Sequence, residues 1–348
     1  DIMGDQYKNF GSELRLLQRY QLLKKTSTFL IGGRYYQGQT IRKQGLGDTT
    51  SLPHFDYLHP DNLEHSDYTF PSRNIAVFSE NIFQLTKKLS VTPGVRYEYI
   101  STSADGYYRE TNKDLAGNII LDQTHTEHLN NARSFVLGGL GILYKPVKKI
   151  ELYANFSQNY RSINFNDMRV INPNAKVDPN LKDETGYTAD GGVRISLKDL
   201  LYVDVSLYYL RYNDRIGSVL KEDESTYVLY RYRTNISDSR NIGAECFAEL
   251  DLIKLFNKAS KHKLSWFVNA SYTDARYISS QESGFNNKLV ELVPQTILRN
   301  GLTYKYKNFS TTVQGAYTGE QYADATNSKF STNAITGLIP AYTICDLD

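Results

Sequence analysis

The chain is poor in most features that would assign it quickly. Its 348 residues hold two cysteines and one tryptophan. Cys246 and Cys345 are too few for a disulfide scaffold or a cysteine-rich metal site, and each reads as a small apolar residue. No run approaches the roughly 18 consecutive apolar residues of a transmembrane helix, which excludes helical membrane proteins. An excess of one charge is also missing. Forty Lys+Arg stand against 38 Asp+Glu, for a formal net charge of +2, so the basic excess of a nucleic-acid-binding protein is absent. No GxSxG, HExxH or glycine-rich phosphate loop occurs, so nothing points to an enzyme or to a cofactor. An initiator methionine and a signal peptide are lacking. The chain opens on Asp1-Ile2-Met3 and stops on Asp346-Leu347-Asp348 inside an apolar alternation, and reads as a piece of something longer.

What is abundant is tyrosine. Its 28 copies, with 15 Phe and the lone Trp, make 13% of a chain whose mean hydropathy is −0.48. Aromatic residues in an otherwise polar sequence favour strands.

The connections between candidate strands have a rhythm. Very short, lysine-bearing turns fall near 22–25, 86–88, 145–149, 197–199, 252–262 and 305–308. Long polar segments alternate with them at about 41–72, 105–131, 161–185, 218–230, 279–288 and 322–337. A soluble sandwich has no reason to place every long loop at one end, whereas an outer-membrane barrel does. Within the strands the period is two. Leu89, Val91, Pro93, Val95, Tyr97 and Tyr99 share one face, and Ser90, Thr92, Gly94, Arg96 and Glu98 the other. Leu201, Val203, Val205 and Leu207 likewise alternate with Tyr202, Asp204 and Ser206. Such alternation marks a half-buried strand. Apolar stretches of about 9–11 residues suit a tilted strand crossing a bilayer.

About thirteen strands are expected, including 10–21, 89–104, 132–145 and 229–250, with the last beginning at Ile339. Tyr36, Tyr99, Tyr108, Tyr187 and Tyr277 near the long segments, and Tyr144, Tyr202, Trp266 and Phe309 near the turns, are expected to form two aromatic girdles. No domain boundary interrupts the rhythm. The fold class is therefore all-β, an antiparallel transmembrane β-barrel meander. An odd, severed set of strands cannot close on itself, so two free edges are expected.

Several segments resemble a known family. Ala76-Val77-Phe78-Ser79-Glu80-Asn81, followed by Leu89-Ser90-Val91-Thr92-Pro93-Gly94-Val95-Arg96-Tyr97-Glu98, resembles a hairpin of TonB-dependent outer-membrane receptors. Leu152 to Arg161, Val177 to Tyr187, Arg240 to Glu245 and Val293 to Leu302 are similar to later strands of that family, in the family's order. The wording from Asn172 to Tyr187 resembles the ferric-dicitrate-receptor branch. The resemblance implies a partial barrel domain over residues 1–348, about 13 of 22 strands and no plug domain. It implies TonB-dependent import of a ferric chelate, either a siderophore or ferric citrate. Its implied partners are outer-membrane lipid, the chelate, and the TonB-ExbB-ExbD system acting through the absent plug segment. No nucleic acid is among them. A passive porin or a plugless surface-binding barrel is the alternative.

Candidate ligand contacts are basic and aromatic residues at the mouth: Arg161, Arg169, Tyr107, Tyr108 and Arg109. The planar guanidinium suits a carboxylate-bearing chelate, although Glu110, Asp114 and Asp167 lie nearby and can neutralise it. His54, His59 and His65 share the first long segment with Asp56 and Asp61 and are weak metal candidates, because their spacing fits no ligand motif. His125 and His128 are weaker still. Arg96 and Glu98 are expected on the wet inner wall, as structural partners.

Overall fold

The computed structural model describes residues 1–48, 56–114, 116–168, 175–222, 229–280, 284–330 and 337–348. The order is β1 (Ile2–Leu22), β2 (Lys25–Gly45), β3 (Ser66–Gln84), β4 (Leu89–Lys113), β5 (Ile119–Val147), β6 (Ile150–Arg161), α1 (Phe165–Met168), β7 (Ala175–Val177) and β8 (Glu184–Leu197). It continues with β9 (Leu201–Glu222), β10 (Leu229–Asp251), α2 (Leu252–Phe256), β11 (His262–Ser279), β12 (Thr296–Tyr306), β13 (Phe309–Thr318), β14 (Gln321–Tyr322), β15 (Leu338–Ile339) and β16 (Tyr342–Leu347).

Sequence neighbours pair antiparallel from β1 to β6, on through β8 to β13, and finally to β16. β7 adds to β10 in parallel, and β14 pairs β15 apart from the main sheet. Among the described residues β1 is bonded only to β2, and β16 only to β13. The sheet is thus an open meander with two edges, as expected. A two-residue turn joins Leu22 to Lys25. Both of its central residues, Leu23 and Lys24, have positive φ (51° and 58°), which lets a two-residue hairpin follow the right-handed strand twist.

The faces divide as the alternation requires. Val77, Tyr97 and Val136 lie side by side across three strands, and all are exposed. Leu140 and Phe156 are likewise opposite one another and exposed. This face is an apolar belt. The other face is polar and internally paired. Arg96 bonds Glu98, which also accepts from Asn74 of the neighbouring strand at 3.2 Å. Arg194 bridges Glu151 (3.3 Å) and Asp204 (2.9 Å), and Lys263 meets Glu249 at 3.0 Å.

The strands run further than expected at the long-segment end. Residues 105–131, read as a loop, form the upper arms of β4 and β5, which pair from Asp105↔His128 up to Lys113↔Ile119. Residues 218–222 and 229–230 of the next such segment likewise belong to β9 and β10. These arms lack an apolar face, so no alternation betrays them. Cross-strand pairs hold them instead. The girdle is thinner than expected, because strand parity turns several tyrosines inward. Tyr187 faces out and packs against Phe156. Tyr36 instead donates to Asn9 on the inner face, and Tyr277 is fully buried.

Burial concentrates at this same end. One cluster gathers Tyr68, Phe70, Ala104, Ile163, Met168 and Ile216. A second gathers Val219, Ile236, Ala275, Tyr277 and Val290. The first brings the 162–168 segment against β3, β4 and β9, so chain leaving β6 folds inward over the mouth.

Candidate functional site

The inward fold begins where β6 ends. Asn164 and Asp167 cap each other across α1. The Asn164 N–H donates to Asp167 Oδ2 (3.1 Å), and the Asp167 N–H donates to Asn164 Oδ1 (3.3 Å). Asp167 is fully buried and takes two guanidinium groups, Arg161 at 2.9 Å and Arg233 at 2.6 Å. Arg161 also reaches Glu184 at 2.9 Å, whose carboxylate accepts the Ile216 N–H at 2.9 Å. On the other flank Asp183 pairs with Arg133 (2.9 Å), accepts the Ile163 N–H (2.7 Å) and is bonded by the Tyr160 hydroxyl. Arg133 also donates to the Ile163 carbonyl at 3.0 Å. Arg133, Arg161 and Arg233 therefore face Asp167, Asp183 and Glu184. The charges balance, and together they tie the inward segment to β5, β6, β8 and β10.

Beneath this segment lies a cleft of about 410 Å³. Asn9, Tyr36, Ser72, Asn74, Thr102 and Asn164 line it, with Phe70 at its apolar side. Its hydrogen-bonding groups are mostly neutral amides and hydroxyls. Sequence reasoning missed these residues because all of them but Asn164, which precedes α1, are ordinary inward polar positions of strands. The one available signal was their common parity at the level of the mouth.

The expected contacts are not gathered at one point. Tyr107, Tyr108 and Arg109 lie on β4, where the pleat separates them. Tyr108 turns inward, stacks on His125 at 4.7 Å and packs against the first buried cluster. Tyr107 donates to the Leu63 carbonyl at 3.4 Å. Arg109 forms a two-pronged pair with Asp122, both contacts at 2.5 Å, and that partner holds the Asp122 carboxyl below its usual range. Arg161 sits in the ion-pair network just described. Arg169 lies outside the described residues.

His54 also lies outside them. His59 contacts Glu64 at 2.5 Å, and His65 contacts Asp1 at 3.2 Å. The Leu46 N–H and then His59 lower the Glu64 carboxyl to about 2. His125 meets Glu110 and His128 meets Asp105. Among the described residues no three such side chains converge in a way that could hold a metal ion.

A family model described as TonB dependent receptor-like, beta-barrel, matches residues 2–348. No curated protein matches the sequence. The unliganded ferric citrate transporter FecA is similar in structure with a TM-score of 0.72 at 19% identity, covering 99% of this chain and 47% of that one. The closed form of the ferric-catecholate import receptor Fiu from K12 E. coli gives 0.70 at 13% identity, with 99% and 48% covered. The copper transporter OprC gives 0.69 at 16% identity, with 99% and 49% covered. At these identities the likeness shows the fold alone. The chain spans about half the length of each of these structures.

Proposed function

Because the chain belongs to the TonB-dependent receptor β-barrel family, we propose that the whole protein imports a ferric chelate, a siderophore or ferric citrate, across the outer membrane of a Gram-negative bacterium. The supporting observation is the two-faced meander, with an apolar belt outside, a self-paired polar wall inside and every long segment at one end. On this reading the chain does no covalent chemistry. The belt meets lipid, the inner wall keeps a wet passage, and the mouth selects the cargo.

The proposed contacts are Arg161, Arg169, Tyr107, Tyr108 and Arg109. Tyr108 has the most direct path to a bound chelate, since it faces inward. A chelate carboxylate reaches Arg161 by replacing Asp167 or Glu184, an exchange of like for like that a planar guanidinium permits. The cleft, at about 410 Å³, falls within the usual size range of small-molecule sites and adds neutral hydrogen-bonding groups. Energy would come from the TonB-ExbB-ExbD system.

Uptake of radiolabelled iron by cells producing the complete receptor tests this. Ferric citrate and a panel of ferric siderophores are supplied one at a time. Uptake of one chelate, abolished when TonB is removed, is the expected result. Entry that survives the loss of TonB would make the protein a passive pore.

A further inference from the structure

The short-turn rim has a composition of its own. All six short turns carry lysine and none carries arginine. The arginines that organise the mouth, among them Arg133, Arg161 and Arg233, lie at the opposite end. Successive hairpins place Lys24 beside Lys25, Lys87 beside Lys88 and Lys148 beside Lys149. Lys258, Lys261 and Lys307 continue the series, and all three are exposed. Among the described residues of this rim, the lysines in ion pairs are Lys145, Lys254 and Lys263, held by Glu151, Asp199 and Glu249.

Large apolar side chains stand among these cations. Leu23 is 74% exposed and Phe256, in the α2 turn, is 91% exposed. Leu255 and Phe309 are exposed as well. Water alone is a poor neighbour for such a set. An interface that is apolar on one side and anionic on the other accommodates both kinds of group. The collar is also continuous with the apolar belt, which ends at these turns.

From this juxtaposition we propose that the lysine collar at the short-turn rim binds the phosphates of anionic phospholipids, while Leu23, Leu255 and Phe256 insert beneath the headgroups. The proposal rests on the membrane-spanning reading above and specifies the lipid that the rim prefers. Lysine suits this task because each ammonium is a compact charge on a flexible stem that can follow a mobile headgroup. Attraction of this kind contributes about a fivefold preference per lysine near the surface and weakens with salt.

Trp266 is the chain's one tryptophan, and it is exposed on β11 near the α2 turn. The complete receptor, with tryptophans outside residues 1–348 replaced by phenylalanine, is placed in phosphatidylcholine vesicles. Quenching of Trp266 is then compared for brominated phosphatidylglycerol and brominated phosphatidylcholine. The expected result is at least about fivefold tighter occupancy by phosphatidylglycerol at low salt, the contribution of a single lysine. The variant K258Q/K261Q/K307Q should equalise the two lipids and leave quenching by the phosphatidylcholine unchanged. Equal occupancy in the unaltered receptor, or a preference that persists in the triple variant, would overturn the proposal. Displacement by lipid A at least as effective as by phosphatidylglycerol would overturn the assignment to phospholipid. Absence of quenching by either brominated lipid would overturn the membrane-spanning reading and this proposal with it, whereas equal quenching overturns this proposal alone.

Discussion

Arg233 reaches Asp167 at 2.6 Å across 66 residues of sequence, and the carboxylate it meets has no exposed surface. Arg161 holds the same carboxylate from the other side. This pair of contacts holds the inward segment over the mouth by tying α1 to both β6 and β10.

Removing the shared carboxylate should release the segment. D167A leaves two guanidinium groups without their common partner. Breaking a buried pair costs about 3–5 kcal/mol, and the partial exposure of both arginines reduces this to roughly 2–3 kcal/mol. Limited trypsin digestion of the complete receptor should then cut faster after Lys176 and Lys182. R161A, which leaves Asp167 with Arg233, should have a smaller effect. Equal digestion of D167A and the unaltered protein would remove the network's holding role.

The loop before β3 should respond to acid. The Leu46 N–H and His59 lower the Glu64 carboxyl from 4.5 to about 2. A carboxyl depressed by folding stabilises the folded loop fully above its unfolded value and loses that contribution as pH falls toward the folded one. Protection of the Leu46 amide from hydrogen exchange should therefore hold above about pH 4.5 and decline toward about pH 2. E64Q should show weak protection at every pH. A native profile that is flat with pH would refute the assignment.

The membrane-level strands and their turns were legible because their signals are local. Alternation in 89–99 and 201–209 names both faces, and lysine-bearing turns mark one end. The upper arms were not legible. Above the belt the outer face no longer meets lipid, so Tyr107, Tyr108 and Arg109 show no apolar period and read as loop. Once they lie on β4, the pleat sends Tyr108 inward to His125 and Arg109 toward Asp122. The mouth network was half legible, since Asp167 near Arg161 was noticed as a neutralising charge. The contribution of Arg233 depends on tertiary folding, and no spacing announces it.

Close packing on the inner wall should make one glycine hard to replace. A Cβ at Gly192 would lie 2.6 Å from the Tyr153 hydroxyl oxygen and 2.4 Å from the Val205 carbonyl oxygen. The Tyr153 hydroxyl donates to Asp204 at 2.8 Å, and Arg194 lies 5.1 Å from the ring centre. G192A should cost about 1–3 kcal/mol by overpacking. Adding Y153A should recover only part of it, since the Val205 carbonyl remains in the way. Urea unfolding of the complete barrel in lipid measures both, and full recovery would show that the ring alone was the obstacle.

The two faces of β4 should tolerate charge unequally. Val95 belongs to the exposed apolar belt, and Thr92 to the polar wall. V95R should cost about 2–4 kcal/mol if it lies near the bilayer midplane. T92R should cost much less. Equal losses in the same unfolding assay would show that the faces are wrongly assigned.

The two-faced meander is tested most directly along β9. Single cysteines at positions 203–208 of the complete receptor, with Cys246 and Cys345 changed to alanine, are spin-labelled and reconstituted in lipid. Collisions with oxygen, which partitions into lipid, and with a water-soluble nickel chelate are then recorded at each position. The account predicts a period of two, with oxygen favoured at Val203, Val205 and Leu207 and the chelate favoured at Asp204, Ser206 and Tyr208. Accessibility that is uniform along the strand, or alternates in the opposite phase, would contradict it.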